Sequence, residues 1–264
     1  MRDTIIVAGA AALLAASASA HEAHKAQKAD PATERIAPSH EHKGGFKVAP
    51  NPAVLAPFDI VHAKIRTEGN VAIFHMAVSG RAGVTRPTAT GKFEGSTVFS
   101  YVWPTSVDAY EVGFDRGAGI LALAVTAHPD FDDTPLFDET RDGNRANDGG
   151  EWHMHWVVLG PDEACGAGGL KVKDIPEGAR PRLPRTWPGV PILIDSPGWQ
   201  PQFNSDTVEV RVPFDDISVV KSASFDGVTT GLRVNASAHA PLLCVANVFK
   251  IASGNLSLPG KVDP

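Results

Sequence analysis

From Phe58 onward the chain is cut into short runs rich in Val, Ile, Phe and Thr by Gly, Pro, Asp and Asn, which is the texture of an antiparallel all-β sandwich. Strands are predicted near 58–67, 70–79, 96–103, 107–114, 119–127, 152–159, 190–194, 206–213, 217–223, 229–237 and 243–250. The turn Glu68-Gly69-Asn70 joins the first two as a compact hairpin. Loops 129–151 and 161–189 are long for plain connections, and loops of that size carry function or are held by a disulfide. The folded unit is placed at 51–264 as one domain.

The first twenty residues have the make-up of a secretory signal: Arg2 supplies positive charge, Ile5 to Leu14 is apolar, and Ala18-Ser19-Ala20 fits a small-residue cleavage site. The apolar stretch is about ten residues, short of the roughly 20 that cross a bilayer core, and no later segment reaches that length. The expected product is periplasmic or secreted, starting at His21, with no membrane span. Two cysteines in an oxidising compartment pair most simply as one disulfide, Cys165 to Cys244, with a free thiol pair as the alternative. A net charge of −6 lacks the basic stripe that nucleic acid requires, so nucleic acid is excluded as the expected partner.

Residues 21–50 show no sustained apolar period and read as a flexible tail. Four of the ten histidines fall there, His21, His24, His40 and His42. Cleavage before His21 would put an α-amine and an imidazole on one residue, a chelate for Cu(II), with His24 close behind. A solubilising linker that happens to contain histidine is the competing reading.

In Trp152 to Leu159 the residues Trp152, Met154, Trp156 and Val158 share one strand face, and His153 and His155 share the other. Side chains two apart on a strand are about 7 Å apart at Cβ, close enough for both imidazoles to converge on one ion. The strand before the long loop ends at His128, and if the two strands pair as a hairpin, His128 lands beside His153. His239 is a further candidate ligand. The alternative is that these histidines merely cover a half-wet sheet surface. The nitrogen set favours copper first and zinc second. Loop 129–151 is acidic, but no window has the spacing of an EF-hand, which favours a solvated loop over a calcium site.

Hydrolase elbows, phosphate loops and His-Glu-x-x-His helices are absent, and no general base is evident, so no catalytic residue is assigned and binding is favoured over catalysis. The string His153-Met154-His155-Trp156 resembles the His-x-His-Trp of α-type carbonic anhydrases. That family takes a third histidine some two dozen residues later, and none occurs here between His155 and His239, so the activity is not carried over.

The stretch Phe58 to Met76, with its Asp59 and its Gly69 turn, resembles the first hairpin of DOMON-like and related carbohydrate-binding β-sandwiches over about a fifth of the chain. The resemblance implies a module that binds haem b or sugar. Haem-binding relatives use a Met and a His as axial ligands, and Met76 with His153 or His155 is the corresponding pair. A sugar would stack on Trp103, Trp187 or Trp199.

Overall fold

The computed structural model describes residue 30 and residues 32–88, 95–128, 143–144, 150–234 and 243–264. In chain order the strands begin with β1 (Phe46–Lys47), β2 (Ile60–Glu68), β3 (Val71–Val78), β4 (Thr97–Pro104) and β5 (Ile120–Ala127). After the long loop come β6 (His153–Pro161), β7 (Leu170–Val172), β8 (Ile194–Asp195), β9 (Gln202–Asn204) and β10 (Thr207–Pro213). The last four are β11 (Ser224–Phe225), β12 (Val228–Val234), β13 (Leu243–Ile251) and β14 (Gly260–Lys261).

The all-β, antiparallel class holds, but the expected sandwich does not. Strands β5-β4-β12-β13-β7-β6 pair in that order, and β6 pairs back onto β5, closing a six-stranded barrel. The second sheet, β1-β2-β3-β10-β9, stays open and packs against one wall of the barrel. Closure removes the exposed edges that a two-sheet sandwich leaves.

Alternation along the shared wall builds two cores. Tyr101 and Trp103 of β4, Leu121, Leu123 and Val125 of β5, and Met154, Trp156 and Val158 of β6 meet Phe74, Met76, Val208 and Val210 of the open sheet. The intervening residues Val98, Val102, Ala122, Ala124, Val157 and Leu159 turn inward and fill the barrel with Val172, Ile194, Leu232 and Leu243. Trp103 ties the layers together by donating its indole N–H to the His75 carbonyl at 3.2 Å.

Two expected strands are short helices. At 107–114, Asp108 caps a 3-10 turn over Ala109–Val112 by accepting from the Tyr110 N–H, and Gly113 at φ 112° ends it. At 217–223, Asp216 accepts from the Ser218 N–H and starts a helix over Ser218–Lys221. In β2 a register irregularity between Ile60 and His62 puts Ile60, Ala63 and Ile65 in the core together. That departs from the strict two-residue alternation of a regular strand. His62 is 1% exposed. The cover comes from the segment expected to be a flexible tail: residues 32–50 lie on the open sheet, β1 pairs with β2, and Gly44 accepts a 2.7 Å hydrogen bond from His62 Nε2.

Cys165 and Cys244 form the expected disulfide. It sits where the barrel is thinnest, since β13 and β7 share a single residue pair, Cys244 with Lys171. Ile192, Leu193 and Ile194 join the buried interior. No helix among the described residues is long and apolar enough to cross a membrane.

Candidate metal centre

His153 and His155 project from β6 on the same side, into the barrel, as the alternation requires. Strand β5 pairs antiparallel with β6, with Thr126 opposite His153 and Ala124 opposite His155. Two residues past Thr126, His128 emerges on the same side, at the point where the chain leaves the strand. The hairpin thus brings together the three histidines expected to meet. Their ligand atoms all lie within 4.8 Å of one another, and the Nε2 atoms of His128 and His153 are 3.0 Å apart. The His153 and His155 rings meet edge to face with centroids 4.8 Å apart.

Burial separates this arrangement from a half-wet sheet surface. His128, His153 and His155 are 1%, 3% and 1% exposed. A buried cationic imidazolium is costly, whereas a neutral imidazole with its second nitrogen bonded is the usual form of a metal ligand. The second nitrogens of His153 and His155 are held in this way. His153 Nδ1 lies 2.8 Å from the Glu151 carbonyl, which can only accept, so the proton sits on Nδ1 and the Nε2 lone pair turns toward His128. His155 Nδ1 lies 3.0 Å from Ser196 Oγ. Ser196 was not singled out from the sequence, although it follows the Ile192–Ile194 run, which lies beside β6. The Glu151 carboxylate points elsewhere and clasps Arg86 through two contacts of 2.8 and 3.0 Å.

His128 and His155 border a cavity of about 160 Å³ inside the barrel. The rest of its lining is almost entirely apolar, including Val98, Ala124, Val157, Leu232 and Val245, with Thr126 beside the histidines. A cavity of this size suits a few atoms and not a large planar cofactor, since sites for drug-sized ligands span roughly 300–1,000 Å³. Next to Ser196, Asp195 is buried, which pushes its carboxyl up to about 6 even though the Thr186 hydroxyl donates to it at 2.6 Å.

Other expected site residues lie apart. Met76, the sulfur ligand implied by the haem resemblance, is fully buried in the core between sheet and barrel. His153 faces the barrel interior, so β6 stands between them and the pair does not converge. Trp103 is also fully buried and offers no face to a sugar, and the Trp187 indole donates to the Val190 carbonyl at 2.9 Å. His21, His24 and His239 lie outside the described residues, as does nearly all of the acidic loop 129–151 considered for calcium. His40 and His42 are on the open sheet, on the face turned away from the barrel, beside His62 and His75.

No family model matches the chain, and neither a curated protein nor a solved structure does.

Proposed function

We propose that this is an exported protein that binds a transition metal ion, copper first and zinc second, through His128, His153 and His155. The observation that carries the reading is the 3.0 Å approach of two Nε2 atoms inside a buried three-histidine group. Metal–imidazole bonds of about 2.0–2.1 Å set ligating nitrogens roughly 3.3 Å apart in a tetrahedral site, so this pair needs almost no rearrangement. Three neutral nitrogens suit Cu(II) and Zn(II) and offer little to calcium or magnesium. The apolar cavity at His128 and His155 would keep bulk water from the ion and leave room for one small ligand at an open position. Export brings the chain into a compartment where its disulfide persists, which fits the Cys165–Cys244 bond.

Elemental analysis of the purified chain tests the proposal. Replacing His153 and His155 by Ala is expected to lower the copper or zinc content by one equivalent per chain. Equal metal content in wild type and variant would remove this site from consideration, and a Soret band would favour haem instead.

A further inference from the structure

The open sheet carries a second group of histidines, on the face away from the barrel. His40 and His42 come from the segment laid over that sheet, and His75 comes from β3 beneath it. The ligand atoms of these three all lie within 4.8 Å of one another. His62 of β2 completes the cluster, stacked on His42 with ring centroids 5.0 Å apart.

Each imidazole has a nitrogen to give. His40 Nδ1 contacts Ser39 Oγ at 2.9 Å, and His75 Nδ1 lies 3.6 Å from Glu209 Oε2, so in both rings Nε2 is the ligand side. A carboxylate behind a ligating histidine is the usual orienting partner. The His42 side chain is buried, yet neither of its nitrogens makes a hydrogen bond, although Nε2 lies 3.3 Å from Asp206 Oδ2. A buried polar side chain without a hydrogen-bond partner calls for one, and an ion is a partner of the right kind. The cavity these rings share measures about 360 Å³ and opens to solvent, which provides an entry path. Lys64 and Arg66 also border it, but each is paired with a carboxylate, Lys64 with Asp263 at 3.3 Å and Arg66 with Glu68.

We infer that His40, His42 and His75 form a second transition-metal site, which fastens the segment before β1 to the open sheet. Two ligands come from the overlying segment and one from β3, so a bound ion cross-links them. Closing the group from 4.8 Å to the roughly 3.3 Å of a coordinated set is an adjustment of side chains, two of them on a loop. The ion class is the one that imidazole nitrogen selects, Zn(II) or Cu(II).

Zn(II) titration of the full chain by calorimetry, paired with trypsin cleavage after the exposed Lys43, tests this. The His40→Ala/His75→Ala double variant is expected to bind one equivalent fewer than wild type, and Zn(II) should slow cleavage after Lys43 severalfold in wild type only. His40 is exposed, so His40→Ala leaves the fold intact and should weaken the same equivalent at least about tenfold. Because wild type and variant are compared, any ion held at His21 or His24 cancels. Unchanged stoichiometry in the double variant overturns the site, and lost stoichiometry with unchanged cleavage overturns the fastening. The His153→Ala variant reports on the barrel group alone, so failure of either site is seen separately.

Discussion

The imidazoles of His128 and His153 meet edge to face with their centroids 4.7 Å apart and their Nε2 atoms at 3.0 Å, although the two residues are 25 positions apart in the chain. Pairing of Thr126 with His153 sets this distance, because it fixes how far His128 overshoots the strand. An ion held here would be linked to folding: at 100 times its dissociation constant it would stabilise the native chain by about 2.7 kcal/mol. We expect a chelator to lower the unfolding temperature of the wild type. His128→Ala should reduce that response by the share that belongs to the barrel group. A chelator effect of equal size in both chains would contradict the linkage.

Asp195 gives a prediction about pH. Burial lifts its carboxyl from the ordinary 3.8 to about 6, so the folded state prefers the protonated form. Its stabilising contribution is complete below the ordinary value and disappears as pH rises through about 6. Asp195→Asn imitates the protonated acid. The variant should gain on the order of 2–3 kcal/mol relative to wild type between about pH 4 and pH 7 in urea unfolding. A pH-independent difference would show that Asp195 is not the titrating group.

Asp59 is fully buried at the meeting point of three segments. Burial alone raises its carboxyl, but Lys250 at 2.6 Å, Arg35, the Asn51 N–H and the Ser79 hydroxyl more than offset this and hold it below the usual value. Its contribution is therefore present at neutral pH and lost as pH falls through that lowered value. Asp59→Ala strands the Lys250 ammonium, whose side chain is only 9% exposed, and should cost about 3–5 kcal/mol. Denaturant midpoints measure the loss. Faster hydrogen exchange across residues 32–51 should accompany it.

The disulfide joins residues 79 positions apart and spans the seam where β7 and β13 share one pair. Replacing Cys165 and Cys244 by Ser should cost about 2–4 kcal/mol in denaturant unfolding. The amides of β7 should show the largest rise in hydrogen exchange. A uniform rise over the whole barrel would mean that the bond acts only on the unfolded chain.

Local pattern made the histidine group readable: alternation placed His153 and His155 on one side, and hairpin pairing brought His128 to them. Barrel closure was not readable, because it depends on β7, a three-residue strand inside what reads as loop. Capping by Asp108 and Asp216 turned two apolar runs into helical turns, a short-range effect that outweighed their β-prone composition. The fate of residues 32–50 was hidden for a different reason. Their polar side chains settle on His62 and His75, which are themselves polar, so no hydrophobic period marks the contact.

Strand β6 is a partition between two environments, with indole and thioether on one side and imidazole on the other. Because each step along an extended chain changes sides, a pairing error of a single residue against β5 would exchange both sets at once. Trp156 would be thrust into the barrel and His155 driven among the aromatic rings of the neighbouring sheet. Any misaligned chain thus loses its packing together with its ligand geometry, and the molecules that fold stably are the ones in which the three nitrogens can meet.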